Sequence, residues 1–381
     1  MRVLLMLVLA ALAGATLAAV YWLRAASDTP VDSGRARLAP PARLVPAGER
    51  AELAAPNIYA ATTAGELAEV VAQITPRVYV PNTTTNDLDI IEPVSGRRLG
   101  RVKVGVTPHH VTPSWDLKRL YVDNTIGNSL TEIDPATGKV VRTIPVRDPY
   151  NLYFTPDGTK AIVVAERFQR LDFRNPHTWK MIKSLPLPGV GADHLDFSAD
   201  GRSLLISDEF SGHVVRVNVV AMKVTGVTKV GGLPVDVKLS PDGTTYYVAN
   251  QALHGVTMID ARTLRKRGFI ATGRGAHGFS ISRNTRRLYV SNRLDGSVSV
   301  ISFARRKVVA TWRVGGSPDM LQLSGDGKEL WVSNRFGNTV SVIDAASGRV
   351  RRSIRVGSNP HGLAFFPQPG RYSVGHNGVY R

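Results

Sequence analysis

The chain has 381 residues, of which 43% are hydrophobic, and this is enough for a large folded core. It contains no cysteine, which excludes disulfides, cysteine-ligated metals, thiol catalysis and the covalent attachment of c-type haem. The formal net charge is +18, which suits acidic partners in general. The arginine-rich runs fall at separate turns, however, and no basic stripe alternates with aromatic residues, so nucleic acid is open as a partner but not favoured.

The chain starts with an apolar segment, residues 1–24, in which residues 3–23 carry no charge. As a helix this run would be about 31 Å long, enough for a bilayer core. Two readings stay open: an uncleaved membrane anchor, or a signal peptide that is removed. Both predict that the rest of the protein is extracytoplasmic, in the periplasm or at the cell surface. Residues 25–56 are rich in Ala, Pro and Arg and predict a linker, and residues 57–381 predict the folded domain.

Within the folded domain, one unit of sequence returns about every 42 residues. The copy at 330–351 reads LWVSNRFGNTVSVIDAASGRVR, and the copy at 288–309 reads LYVSNRLDGSVSVISFARRKVV. Each unit has four short runs of alternating apolar and polar residues, separated by turns with Gly, Asn and Asp. Such runs predict four antiparallel strands per unit, which is the blade of a β-propeller.

The polar residue that ends the LYVSN run fixes the number of repeats. It is an asparagine in five copies and is replaced in two others; the seven positions are Asn82, Asn124, Ala165, Asp208, Asn250, Asn292 and Asn334. An all-β fold of seven four-stranded antiparallel blades, preceded by an N-terminal apolar helix, is therefore predicted. The stretch LAEVVAQ at 67–73 reads either as a helical turn or as a degenerate strand, which leaves eight blades open.

The two ends of the folded domain are predicted to meet in one blade. The run GLAFF at 362–366 should be the innermost strand of a blade whose other three strands come from residues 78–104, so that Phe365 pairs near Tyr79. Without this pairing, the tail from Pro369 onward would begin an eighth blade.

The recurring Tyr-Val-x-Asn run resembles the repeat of the YVTN β-propeller family, also called YncE-like. The resemblance covers roughly residues 57–381 and implies the propeller fold. It says little about activity, because propellers host many unrelated functions. No repeat shows the GH…WD signature of the WD40 branch, in which GH precedes WD within one unit.

Polar residues cluster in the loop that leads into each innermost strand. In chain order the first position is occupied by His109, Tyr150, Asp193, Val235, His277, Asp319 and His361, and the second by His110, Asn151, His194, Asp236, Gly278, Met320 and Gly362. We expect them at one mouth of the central channel, together with the residues that follow the LYVSN run, Glu166, Glu209, Gln251, Arg293 and Arg335. The other four histidines, His177, His213, His254 and His376, fall outside this register.

This mouth is the predicted ligand site. The candidate residues are His109, His110, Asp193, His194, Asp236, His277, Asp319, His361, Glu166, Glu209, Arg293 and Arg335. Neutral imidazoles can bind a divalent transition metal, with His109, His277 and His361 as the candidate ligands. The arginines suit a small anionic or sugar-like ligand. A histidine with a carboxylate could instead act as a base in hydrolysis, or the residues could simply cap turns.

The favoured function is an exported ligand-binding or scaffold module of the cell envelope, with a small ligand or an envelope protein as its partner. The alternative is a lactonase-type or metal-dependent propeller hydrolase. No catalytic residue is assigned, and the sequence has no GxSxG, Walker-type or HExxH motif.

Overall fold

The computed structural model describes residues 57–376 and 379–381, so the predicted leader or anchor and the linker lie outside the described residues. The described residues form seven antiparallel sheets and contain no α-helix. The predicted seven-bladed propeller is confirmed, and the eight-bladed alternative is wrong. Within the same residues, no helix has the length and apolar character needed to cross a bilayer.

The strands and the short 3₁₀ turns have the following bounds in chain order. The strands are β1 (Arg77–Asn82), β2 (Asp87–Ile91), β3 (Arg98–Lys103), β4 (Pro108–Pro113), β5 (Leu120–Asn124), β6 (Ser129–Ile133), β7 (Val140–Pro145), β8 (Asn151–Phe154), β9 (Ala161–Ala165), β10 (Arg170–Arg174), β11 (Met181–Pro186), β12 (Ala192–Phe197), β13 (Ser203–Asp208), β14 (His213–Asn218), β15 (Lys223–Lys229), β16 (Pro234–Leu239), β17 (Thr245–Asn250), β18 (Gly255–Asp260), β19 (Lys266–Ala271), β20 (Ala276–Ile281), β21 (Arg287–Asn292), β22 (Ser297–Ser302), β23 (Lys307–Arg313), β24 (Pro318–Leu323), β25 (Glu329–Asn334), β26 (Thr339–Asp344), β27 (Val350–Arg355), β28 (Ala364–Phe366), β29 (Ser373–Gly375) and β30 (Val379–Tyr380). The 3₁₀ turns are Ala60–Thr62, Glu69–Val71, Glu166–Phe168, Glu209–Ser211 and Arg335–Gly337.

Each blade is one sheet whose strands follow one another from the channel outward. The orders are β28-β1-β2-β3 for blade 1, β4-β5-β6-β7 for blade 2, β8-β9-β10-β11 for blade 3, β12-β13-β14-β15 for blade 4, β16-β17-β18-β19 for blade 5, β20-β21-β22-β23 for blade 6 and β24-β25-β26-β27 for blade 7. The innermost strands are buried, whereas the outermost strands alternate between exposed and partly buried residues. This is the period-two pattern of a strand with one solvated face.

Tight turns allow four strands to fit into each repeat. In blade 7 the carboxylate of Asp344 accepts hydrogen bonds from the backbone of Ala346 (3.1 Å) and Ser347 (2.8 Å). Gly348 then closes the turn with φ +74°, and a Cβ atom there would collide with Trp312. The sequence AASG thus reverses the chain because the preceding Asp344 caps the turn and Gly348 accepts the left-handed backbone conformation.

In blade 2, the asparagine of the LYVSN run ties the blade to the loop that enters it. Asn124 donates from Nδ2 to the hydroxyls of Ser129 (3.2 Å) and Thr131 (2.9 Å) on the next strand. Its Oδ1 accepts the backbone N–H of Gly105, which precedes the innermost strand of the same blade (3.0 Å). One buried side-chain amide therefore hydrogen-bonds to both the next strand of its hairpin and the loop between two blades, which explains why asparagine marks the repeat.

Apolar clusters lie between adjacent blades. Tyr289, Val300 and Trp312 of blade 6, for example, pack against Leu321 and Val332 of blade 7. Each blade is therefore stabilised by the blades on either side of it. The apolar faces of the first and last blades are covered only if the ring closes.

Ring closure follows the predicted route. In blade 1, β28 pairs with β1 through Arg77 with Phe366, Val78 with Phe365 and Tyr79 with Ala364. The pairing of Phe365 near Tyr79 is confirmed, and the closing blade combines both ends of the domain.

The chain ends do not add an eighth blade. The ambiguous stretch at 67–73 forms the 3₁₀ turn Glu69–Val71. Beyond the closing strand, the tail turns back into the ring, and β29 pairs with the inner edge of β8 through Gly375 and Tyr153. The side chain of Tyr59 and that of the last residue, Arg381, both reach Asp196 at the far end of an innermost strand, opposite the predicted mouth.

Asp208, which replaces the repeated asparagine in blade 4, should weaken the fold at neutral pH. In blade 5, Asn250 donates to Gly231 O (2.7 Å) and accepts from Leu233 N (3.1 Å). Burial raises the pKa of the Asp208 carboxyl to about 6, because a charged group is costly there and an aspartate cannot donate as the asparagine does.

We therefore expect Asp208→Asn to raise the free energy of unfolding by roughly 1–2 kcal/mol at pH 7.5. The pKa of Asp208 in the folded protein lies above its value of about 3.9 in the unfolded chain. The ionised carboxylate therefore destabilises the fold to its full extent above about pH 6, and this destabilisation is absent below about pH 4. Urea unfolding at pH 7.5 and pH 4 measures the difference. A gain of the same size at both pH values would show that ionisation is not the cause.

Candidate functional site

Bulges in the innermost strands bring consecutive side chains into the channel. The pairing register shifts in five blades, between Pro108 and Val111, Ala192 and Leu195, Pro234 and Val237, Ala276 and Phe279, and Pro318 and Leu321. The two residues skipped in each case occupy the two positions of the sequence motif that lead into the innermost strand. A bulge breaks the strict alternation of a strand and redirects side chains, which explains how neighbours such as His109 and His110 are both buried at the centre.

Six imidazoles meet in the channel. The rings of His109 and His361 stack with centroids 3.9 Å apart, and the His110 ring lies 4.7 Å from that of His361 and 5.2 Å from that of His194. His376, which lies outside the repeat register, completes the group through the tail. Its ring lies 4.3 Å from that of His194 and 4.8 Å from that of His110.

The imidazoles form two sets with the spacing of metal ligands. One set is His109, His110 and His361, and the other is His110, His194 and His376; in each set the ligand atoms lie within 4.8 Å of one another. Small side-chain rotations would bring them to the metal–nitrogen distances of about 2.0–2.1 Å that zinc sites require. His277 belongs to neither set; its ring lies 5.9 Å from that of His361 and 6.3 Å from that of His194.

Oxygen atoms lie close to Nδ1 of three of these rings. His361 Nδ1 lies 2.6 Å from Asp319 Oδ2, His194 Nδ1 lies 2.5 Å from Asp193 Oδ1, and His376 Nδ1 lies 3.0 Å from Asn151 Oδ1. Arg335 Nη1 also lies 3.1 Å from His361 Nδ1, but the shorter contact with a carboxylate places the proton on this nitrogen. The ring then presents Nε2 with its lone pair, as in histidines that bind metals.

Several nitrogens at the centre lack hydrogen-bond partners among residues 57–376 and 379–381. They include Nε2 of His194, His361 and His376 and Nδ1 of His109. Buried polar atoms are nearly always satisfied in native proteins, so several such atoms close together favour a bound ligand or ion.

Electrostatics keep most of the imidazoles neutral. Burial lowers the pKa of His109, His361 and His376 well below the usual value. Neighbouring histidines add to this effect in all three, and Arg335 adds to it for His109 and His361. For His194, burial also opposes the charged form, but the Asp193 carboxylate outweighs it and the pKa is raised. Neutral rings have the free lone pair that a metal needs.

Asp319 is the charge centre of one half of the mouth. Its Oδ1 accepts from Arg293 Nε (2.7 Å) and lies 3.1 Å from His277 Nδ1, while Arg335 Nη1 lies 3.8 Å from Oδ2. Burial alone would raise the pKa of Asp319, but Arg293, His277 and Arg335 lower it below the usual value. Arg293 also donates to Gln251 Oε1 (3.1 Å), so the arginines are held in place at the mouth.

The other half of the mouth is acidic. Burial, together with the charge of Asp193, raises the pKa of Glu166 and of Glu209 to about 8. The same two causes raise the pKa of Tyr150, whose ring lies 4.6 Å from that of His109. Basic and acidic groups thus flank the imidazoles on opposite sides.

The structure gives Asp236 a different environment from the other candidates. Its carboxylate accepts the backbone N–H of Val237 (2.8 Å) and, from blade 6, that of Phe279 (2.8 Å). These contacts join two blades. His376 is the residue that the sequence reasoning missed, because only its position in the folded tail, and no repeat register, places it in the channel.

Comparison with known proteins gives a family model and a set of similar folds. The model described as YNCE-like beta-propeller matches residues 29–368. Similar solved structures include hydrazine synthase from Kuenenia stuttgartiensis (18% identity, TM-score 0.60, covering 67% of this chain and 88% of that chain) and a putative 6-phosphogluconolactonase from Bacteroides fragilis (18%, 0.64, 78% and 99%).

A third similar structure is the dihydro-heme d1 dehydrogenase NirN in complex with DHE (14% identity, TM-score 0.61, covering 79% of this chain and 77% of that chain). At these identities the likeness concerns the fold alone. No curated protein matches the chain.

Removing the charge of Asp319 should cost stability. We expect Asp319→Asn to lower the free energy of unfolding by about 2–4 kcal/mol, because Arg293 would remain buried without its counter-ion. The matched control is Asp295→Asn. Asp295 lies 2.7 Å from the half-exposed Arg274, and loss of this ion pair should cost less than about 1 kcal/mol. Urea unfolding at pH 7.5 compares the two, and equal losses would contradict the role assigned to Asp319.

Proposed function

Because the chain belongs to the YncE-like β-propeller family, whose fold hosts unrelated activities, we propose that its function resides in the channel, where buried imidazoles bind a transition metal. The observation that carries this proposal is the close spacing of the ligand atoms in two sets of imidazoles, His109, His110 and His361, and His110, His194 and His376. The Nε2 atoms of His194, His361 and His376 have no hydrogen-bond partner among the described residues. A bound cation would satisfy these atoms.

The donor set selects the class of metal. The chain has no cysteine, and the converging donors are imidazoles rather than carboxylates or carbonyls. Imidazole suits copper, zinc, nickel and iron, whereas calcium and magnesium prefer oxygen. Copper(II) binds most tightly to a given nitrogen site in the divalent series, so copper and zinc are the first ions to test.

The mouth next to the imidazoles would accept a small anionic or sugar-like ligand. Arg293 and Arg335 provide guanidinium donors on one side, and Arg335 Nη1 lies 3.1 Å from His361, one of the proposed metal ligands. An oxyanion bound there would sit beside the metal and could coordinate it. This arrangement supports a ligand-binding role with His109, His110, Asp193, His194, His277, Asp319, His361, Glu166, Glu209, Arg293 and Arg335 around the ligand.

A hydrolase is the second candidate. The similarity to a putative 6-phosphogluconolactonase and the presence of arginines beside the imidazoles favour it. A metal-bound water would be the nucleophile, and the arginines would bind the anionic part of a lactone. Turnover of lactones by metal-loaded protein, lost in Arg293→Ala, would favour the enzyme over the binding protein.

The metal proposal predicts stoichiometric, histidine-dependent binding. Full-length protein stripped with a chelator should take up copper(II) or zinc(II), as measured by elemental analysis after desalting and by titration calorimetry. The double variant His194→Ala, His361→Ala should lose tight binding because each of the two sets of imidazoles loses a ligand. The control is His177→Ala, which removes an exposed imidazole outside the channel. Wild-type protein that retains no metal, or a double variant that binds like the wild type, would contradict the proposal.

We also propose that the protein works outside the cytoplasm, in the cell envelope, with residues 3–23 either anchoring it in the membrane or removed as a signal. The full-length protein should fractionate with the envelope, and deletion of residues 1–24 should leave it soluble in the cytoplasm. Full-length protein in the cytosol would contradict export. Protein free in the periplasm or the medium would favour cleavage over anchoring.

A further inference from the structure

The channel continues beyond the imidazoles as a small cavity. Its walls are the innermost strands β16, β20 and β24 of blades 5, 6 and 7 together with the C-terminal tail, and Tyr59 lines it at the end opposite the mouth. His376 borders it as well, so the cavity lies next to the histidines. Its volume is about 70 Å³. One water needs roughly 10–15 Å³ of cavity volume, so a small ion with a few waters would fit.

A buried lysine lines this cavity. Lys238, on β16, is only 4% exposed. Its ammonium can donate three hydrogen bonds, but among residues 57–376 and 379–381 the side chain has neither a hydrogen bond nor an ion pair. Buried charges in proteins are normally paired, because an isolated charge away from water is costly. Lys238 therefore lacks a counter-ion within the part of the chain that the structure describes.

The nearest carboxyl on the same strand is already engaged. Asp236, two residues before Lys238, accepts the backbone N–H groups of Val237 and Phe279, both at 2.8 Å. Burial raises the pKa of Asp236, and Lys238 opposes this effect only in part. A carboxyl that is held by two amides and made harder to ionise by burial is a poor counter-ion for the lysine.

The other polar groups around the cavity also favour an anion. Arg283 adds a second positive charge, and its partners are neutral oxygens: the carbonyls of Leu323 (3.2 Å) and Ser324 (3.1 Å) and the amide oxygen of Gln368. The hydroxyl of Tyr380, buried in the tail, has no hydrogen-bond partner among the described residues. The described residues that line the cavity include no carboxylate. Two cations and an unpartnered hydroxyl donor thus surround this space.

We propose that the cavity is a binding site for a small monovalent anion of the size of chloride or bromide, held by the ammonium of Lys238 and the hydroxyl of Tyr380. One negative charge balances Lys238, because carbonyl and amide oxygens already accept from Arg283. Blade 5 supplies the lysine and the tail supplies the tyrosine, so the anion links the tail to the ring. Arg293 and Arg335 of the mouth do not line the cavity, and the site does not depend on metal binding.

Bromide is the probe for a crystallographic test, because its anomalous scattering locates it directly. Crystals of metal-stripped, full-length protein grown with bromide as the halide should show an anomalous peak in contact with Lys238 Nζ and Tyr380 Oη. Lys238→Met should lose this peak and keep any peak at the mouth. Bromide found only at the mouth, or nowhere in the channel, would overturn the proposal.

Thermal melting of the metal-stripped, full-length protein in non-ionic detergent tests the site in solution. At constant ionic strength, replacing gluconate, which is too large for the cavity, with chloride should raise the melting temperature, because a ligand of the folded state stabilises it. Lys238→Met should melt at the same temperature in both salts. The matched control is Lys229→Met, which removes an exposed lysine and should respond like the wild type. An equal response to chloride in both variants would contradict the proposed site.

Tyr380→Phe provides the test if Lys238→Met does not fold. It removes only the hydroxyl, and the variant should need about tenfold more chloride for the same rise in melting temperature, as expected for the loss of one hydrogen bond to a charged group. A chloride response identical to that of the wild type would overturn the proposal, and the proposed metal binding at the imidazoles would stand or fall separately.

Discussion

Three residue pairs join the two ends of the ring: Arg77 with Phe366, Val78 with Phe365 and Tyr79 with Ala364. The arrangement of the channel depends on this pairing, because each blade is covered by its neighbours and an open ring would expose the apolar faces of the first and last blades. Val78 and Val80 of the closing blade pack against Trp331 and Val340 of blade 7. Without closure, His109 and His361, which lie on either side of the joint, would not stack.

The channel carries polar groups that the rest of the fold must support. Burying imidazoles without partners costs free energy, and a bound ion would return part of that cost as affinity. The innermost strands also contribute to the apolar clusters between blades, as Leu321 and Leu323 of blade 7 do. In the bulged strands, two successive residues such as His109 and His110 can nevertheless both be buried at the centre.

The mouth separates charge across the imidazoles. Asp319 holds Arg293 and Arg335 on one side, whereas Glu166, Glu209 and Asp193 lie on the other, where mutual repulsion and burial favour protonated glutamates. An anion is therefore favoured only on the arginine side. Since that side adjoins His361, a ligand attracted there would approach the proposed metal site directly.

The sequence by itself determined the repeat, the closure and five of the six histidines in the channel. A period of about 42 residues fixes which side chains occupy equivalent places, because every blade is built from the same strands and turns. Tertiary structure decided the rest. Asp236 faces two backbone amides because a neighbouring blade supplies one of them. The Asn151 contact and the place of His376 depend on a pairing between residues 222 positions apart, Tyr153 and Gly375. No local period encodes such a pairing, since the tail has no equivalent in any other repeat and is positioned only by the closed ring around it.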